Sequence, residues 1–168
     1  MKNMYITTGT LTYLQTVKET HAKEKMVLLD GGDTAVLVHE TEGETVFHEP
    51  RRYKIIEAVG ELGGAFVVCN NIPVTEEGRP LFEYRFNQRA RLIETEPGFV
   101  AIRVLRPLSN DTYIIMTCWE GKEHFENWQQ SKAFERAHGK RETAPQEEKQ
   151  PPMFPRPSYV TKYTVFHE

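Results

Sequence analysis

Residues 64–168 read, in order, as strand, helix, strand, strand, helix, strand, and few folds accommodate that order. The first strand is GAFVVCNNIPV. A TEEG turn leads to a helix from about Pro80, with Phe82, Phe86, Ala90 and Ile93 at i, i+4, i+8 and i+11. Pro97–Gly98 signals a turn. FVAIRVLRPL and TYIIMTCWE then read as strands around a polar SND turn, followed by a helix containing HFENWQQSKAFERAHGK and a last strand, SYVTKYTVF. This βαββαβ order is the split-βαβ, ferredoxin-like arrangement, an α+β fold.

Residues 1–63 read as a degenerate copy of the same unit. MYITTGT is a strand, LTYLQTVKETH a short amphipathic helix, and MVLLD and TAVLVHE are strands joined at Gly31–Gly32–Asp33. A helix is expected from Pro50 to Gly60, since proline suits the first helical position, glycine the C′ position, and Tyr53, Ile56 and Val59 share one face. The order βαββα lacks a final strand. The expectation is therefore a fused pseudo-dimer with antiparallel sheets, divided between residues 63 and 64.

Composition narrows the function classes. The net charge of −3 argues against a nucleic-acid partner, which calls for a basic excess. Arg79, Arg85, Arg89 and Arg91 read as a solvated helix face. The N-terminus has no apolar run long enough for a signal peptide or membrane span. Cys69 and Cys118 lie in apolar runs without CxxC spacing, as buried cysteines of a reducing, cytoplasmic compartment do. CxxCH, Walker, HExxH, GxSxG and GxGxxG patterns are absent.

Three residues stand out. Trp128 and His138 lie ten positions apart on one helix, with His138 in its last turn before Gly139. Ten helical residues span ~15 Å and end about 80° short of three revolutions. A lone metal ion cannot touch both side chains, but a large flat ligand such as haem can. Ala137 and Phe134 give the imidazole an apolar setting, and neutral imidazole is a good axial ligand to haem iron. Against this, a helix-terminal histidine also suits the helix dipole, and Trp128 beside Phe125 and Phe134 also reads as core. The consecutive Asn70 and Asn71 are unusual within a strand. Alternation sends them to opposite faces, so one amide needs buried hydrogen-bond partners; periodicity leaves open which. His21, His39, His48, His124 and His167 read as surface or structural. The segment 141–157 holds five of the ten prolines and reads as an irregular loop, either a passive linker or a lid.

On NNIPVT, EPGFVAIRVLRP and the W(x)₉H spacing, residues 64–168 resemble the IsdG-type haem-degrading monooxygenases, within the antibiotic-biosynthesis-monooxygenase superfamily. The resemblance places the family's asparagine, tryptophan and histidine on Asn70, Trp128 and His138; Asn70 rather than Asn71 stands five residues before Thr75. It implies haem b as both substrate and cofactor, with O₂ and electrons from an external reductase. His138 would be the proximal iron ligand, Asn70 a hydrogen-bond donor on the distal side, and Trp128 a steric press on the porphyrin. Products would be iron and an open-chain tetrapyrrole. The first unit shows no matching asparagine or histidine, so one site per chain is expected, in a monomer or weak homodimer. Three rivals remain: a cofactor-independent monooxygenase of the same superfamily, a TRAP-like regulatory protein, and a haem-storage or delivery protein.

Overall fold

The computed structural model describes residues 2–88, 92–131 and 153–167. The chain runs β1 (Asn3–Gly9), α1 (Leu11–Thr20), β2 (Met26–Asp30), β3 (Ala35–Thr41), β4 (Arg51–Val59), β5 (Phe66–Pro73), α2 (Arg79–Asn87), a 3-10 turn (Leu92–Thr95), β6 (Phe99–Pro107), β7 (Thr112–Trp119) and β8 (Tyr159–Val165). A further helix, α3, is described over 122–131. The strands close into an antiparallel barrel of order β1-β3-β2-β8-β5-β7-β6-β4.

The barrel divides into two runs of the same kind. In the first half the order is β4-β1-β3-β2, in the second β8-β5-β7-β6. Both place the fourth strand beside the first, as the ferredoxin-like order requires. The halves join where β4 pairs with β6 and, more briefly, where Leu29 and Asp30 of β2 pair with Val165 and Thr164 of β8.

Strand alternation sorts the side chains into an inner and an outer set. Met4, Ile6, Val38, Val67, Cys69, Leu105, Ile114 and Met116 fill the interior. Outside the first half, Leu14 of α1 covers Met26, Leu28 and Leu37. Thr10 caps α1, its hydroxyl accepting from the Tyr13 N–H at 3.2 Å. Outside the second half lie Phe66, Val68, Ile102 and Trp119, packed against Phe125 of α3.

The helix expected from Pro50 to Gly60 is instead the strand β4, so the first half has its fourth strand and no second helix. The reason is a β-bulge between Ile55 and Glu57. Ile55 packs inside the barrel, whereas Ile56 and Val59 pack on outer clusters. The extra residue breaks the two-residue alternation and leaves apolar positions at a helix-like spacing. The run Phe82, Phe86, Ala90, Ile93 is also interrupted: α2 ends at Asn87, Ala90 lies outside the described residues, and Ile93 sits on the 3-10 turn. Arg79 does not join a solvated face, since its guanidinium donates to Pro107 O at 3.2 Å and Asn110 O at 2.9 Å.

One buried ion pair crosses the interior between the halves. Arg103 Nε of β6 donates to Glu40 Oε2 of β3 at 2.7 Å, and both residues are almost wholly buried. Lys25 Nζ lies 3.0 Å from the other Glu40 oxygen. Burial alone would raise the Glu40 pKa, but hydrogen bonds from Arg103 and Lys25 outweigh it and hold the carboxyl below its usual range. Removing one partner strands a buried charge, so Glu40→Leu should cost about 3–5 kcal/mol in urea unfolding. The double variant Glu40→Leu/Arg103→Met should recover most of that loss. Equal destabilisation by both variants would contradict this account.

Candidate functional site

The outer face of the second half of the barrel is roofed by helices that do not fill it. Between them lies a cavity of about 470 Å³, within the about 300–1,000 Å³ typical of small-molecule sites. Val68, Asn70 and Ile72 of β5, Ile115 and Thr117 of β7, and Val160 of β8 form its floor. Phe82 and Phe86 of α2, Ile93, and Phe125, Trp128 and Gln129 of α3 form the walls and roof, with Ser158 at the margin. Among the described residues the lining carries no charged side chain. Inside the barrel a much smaller void, about 70 Å³, touches Cys69, Asn71 and Tyr163. It suits a water or two, not an organic ligand. Burial pushes the Cys69 thiol up to about 12, which makes it a poor nucleophile.

The register settles the asparagine pair. Asn71 faces the interior, 5% exposed, with Nδ2 donating to Cys69 O and Tyr159 O at 3.2 Å and to Thr161 Oγ1 at 3.1 Å. It is the structural member, tying β5 to β8. Asn70 faces the cavity beside Val68 and Ile72. Its carboxamide has no hydrogen-bond partner among the described residues, so its donor and acceptor remain available to a ligand.

Trp128 serves packing and cavity at once. Its ring lies 6.0 Å from that of Trp119 and 6.2 Å from that of Phe125, and it also lines the cavity. Trp119 is fully buried, with Nε1 donating to Thr117 Oγ1 at 3.0 Å, so the indole stack is fixed from below. The structure thus brings Asn70 and Trp128 to one cavity. His138 lies outside the described residues, as do Phe134 and Ala137.

Sequence reasoning missed what holds the roof in place. Glu83 of α2 receives two bonds from Arg106, Nε at 2.9 Å and Nη2 at 2.6 Å, and one from the Tyr113 hydroxyl. Phe82 stacks obliquely on Tyr113, ring centroids 4.6 Å apart. The Arg106 guanidinium holds the Glu83 carboxyl below its usual range, while burial, with Glu83 beside it, pushes the Tyr113 phenol up. The signal available in the sequence was the adjacent Phe82–Glu83 pair at the start of α2. The described end of the proline-rich segment is also docked: Met153 is buried against Val74 and Tyr113, and Arg156 pairs with Asp111 at 2.8 Å. Residues 141–152 lie outside the described residues. Among the described residues no helix is long and apolar enough to cross a membrane.

Comparison with known proteins places this geometry among relatives. Residues 65–140 match the family described as antibiotic biosynthesis monooxygenase (ABM). The signal transduction protein TRAP of Staphylococcus aureus strain MSSA476 is 30% identical over 135 residues, 80% of this chain and 81% of that protein. A heme-degrading monooxygenase of Listeria monocytogenes strain EGD-e is 25% identical over 132 residues, 78% of this chain and 79% of its own length. The solved structure of a major regulator of staphylococcal pathogenesis superposes with a TM-score of 0.82 at 26% identity, covering 97% of this chain and 98% of that one.

Two outcomes follow from the geometry. Asn71→Ala should destabilise the fold by about 1–3 kcal/mol in chemical denaturation, whereas Asn70→Ala should leave stability within about 0.5 kcal/mol of the parent. A reversed order would refute the assignment of faces. For Glu83, a depressed folded-state pKa means its stabilisation is fully present above the usual carboxylate range and is lost as the pH falls through that depressed value. The stability gap between Glu83→Gln and the parent should therefore shrink in acid, and a gap independent of pH would exclude the charge effect.

Proposed function

We propose that this chain, which belongs to the antibiotic biosynthesis monooxygenase superfamily, is a haem-degrading monooxygenase with one site per chain. The observation that carries the reading is an aromatic-roofed cavity over a sheet face whose one amide, Asn70, has no protein partner among the described residues. A flat, largely apolar macrocycle fits such a space better than a charged or strongly polar substrate. The heme-degrading relative in Listeria monocytogenes supports this choice. We extend the reading to the whole chain, its first unit included, as a protein of the same kind as the haem-degrading monooxygenase HmoB.

The residues present fit haem in chemical terms. His138, which follows α3 in the sequence, would hold the haem iron, its neutral imidazole suited to that role. The Asn70 carboxamide donates a hydrogen bond from the sheet floor, stabilising charge that develops over the ring. Trp128, braced by Trp119 and Phe125, presses on the macrocycle, and distortion is one of the protein's levers over haem. Bound haem supplies the redox-active iron and is itself the molecule oxidised. Phe82, Phe86 and Ile93, which line the cavity, would exclude water from the bound haem. O₂ and electrons from an external reductase complete the reaction, with iron and an open-chain tetrapyrrole as products.

We further propose that residues 1–63 and 64–168 form an internal pseudo-dimer, supported by the shared strand order of the two halves, in a cytoplasmic monomer or weak homodimer. A second reading, a regulator without catalysis, draws on the similarity to TRAP.

The test is an absorbance titration with ferric haem, then ascorbate in air with catalase present. The expected result is a saturable Soret shift at one haem per chain, followed by Soret loss and iron release. His138→Ala should abolish the axial-ligand spectrum. Asn70→Ala should bind haem but turn over about a hundredfold more slowly, and Trp128→Phe should also bind and slow. Saturable binding without decay under any reductant would favour storage or delivery. An absence of binding would leave the regulatory reading.

A further inference from the structure

The cavity has a cationic annex. On β8, Lys162 pairs with Val68, one step along the sheet from the Val160–Asn70 pair. Val160 and Val68 both line the cavity floor. Alternation therefore puts Lys162 on the same outer face as Asn70. Its ammonium lies 5.5 Å from the centroid of the Phe125 ring, which itself lines the cavity.

Beyond Phe125 the surface opens into a recess of about 320 Å³, lined by Phe66, Lys122, Lys162 and the Gly31–Gly32 turn among others. Phe125 lines the cavity and Phe66 lines the recess, and their ring centroids lie 6.1 Å apart. Neither lysine has a carboxylate partner among the described residues. Asp30, the acidic group of the recess, is turned to its own loop, where Oδ1 accepts the Gly32 N–H at 2.9 Å. The aromatic cavity, uncharged among the described residues, is thus separated by the Phe66–Phe125 pair from a recess with two ammonium groups, Lys162 resting on the Phe125 ring.

Resting on the haem reading above, we propose that Lys122 and Lys162 bind the carboxylates of the porphyrin, and so fix its rotation about the ring axis in the cavity. The ligand class is an amphipathic dicarboxylate, apolar ring inward and acid groups in the recess. A planar macrocycle in an apolar slot has little else to set its azimuth. Charge at one rim does so without altering the faces that Asn70 and Trp128 address.

The experiment compares ferric haem with its dimethyl ester, which keeps the ring and lacks both carboxylates, on the full chain by Soret titration. Lys122→Met and Lys162→Met keep the aliphatic stems and remove the charge. Each should weaken haem binding about fivefold, as one partly exposed ion pair allows, and leave the ester unchanged. Lys162→Arg should restore haem affinity. The preference of the parent for haem over the ester should shrink as salt rises. Equal binding of haem and ester by the parent, or lysine variants that weaken both alike, would overturn this proposal while leaving haem binding intact. Failure of the parent to bind either porphyrin would overturn it together with the haem reading.

Discussion

Arg103 ties the two halves of this barrel together from the inside. Its Nε reaches Glu40 on β3, Nη1 reaches Val59 O and Ile102 O at 3.1 and 2.9 Å, and Nη2 reaches Gly60 O at 2.8 Å. A guanidinium buried in an apolar interior is tolerated only when its donors are met in this way. The requirement reaches into the backbone. Gly60 turns with φ +77°, and a Cβ there would lie 2.2 Å from Val100 O. Only glycine lets the chain leave β4 at this angle while offering its carbonyl to Arg103. Lys25 continues the network outward to Glu61 at 2.6 Å. The end of the barrel where the first half hands over to the second is therefore built around one side chain.

With the interior fixed by apolar packing and this clamp, the outer faces are left free for other uses. β5 shows the division within eight residues. Val67, Cys69 and Asn71 belong to the interior, while Phe66, Val68, Asn70 and Ile72 belong to the face beneath the helices. A one-residue slip of β5 would exchange the two asparagines, stranding one amide inside without its partners and removing the other from the cavity. Stability and ligand chemistry thus reside on opposite sides of the same strand.

This division explains what the sequence disclosed. Asn70 and Trp128 were named together only through the family resemblance, whereas the strands of the second half and α1 were legible because each follows a simple period. β4 was not, since its bulge replaced a two-residue alternation with the spacing of a helix. Local propensity pointed the other way, as Tyr53, Ile55, Ile56 and Val59 are all good strand formers, and that signal outweighed Pro50 and Gly60. The run from Phe82 to Ile93 kept its apolar spacing across a break in the helix because both pieces cover one sheet face. The choice between Asn70 and Asn71 needed the β5–β8 register, which no local pattern encodes. The Glu83–Arg106–Tyr113 cluster joins residues 23 and 30 positions apart and is a product of the fold alone.

The two halves of the barrel share a strand order yet differ in what lies on them. In the second half, helices stand off the outer face and leave a cavity. In the first, no helix links β3 to β4, and the intervening segment packs down directly. Phe47 meets His39 edge-on at 5.6 Å, with Tyr5 tilted against the other side at 6.1 Å. His39 is fully buried, Nε2 lying 2.8 Å from Glu24 Oε1 and Nδ1 3.1 Å from Thr45 Oγ1. Both ring nitrogens are committed to neighbours within the fold. With α1 and this aromatic patch on its outer face, the first half serves as the scaffold against which β6 and β8 of the second half are held, through β4 and β2.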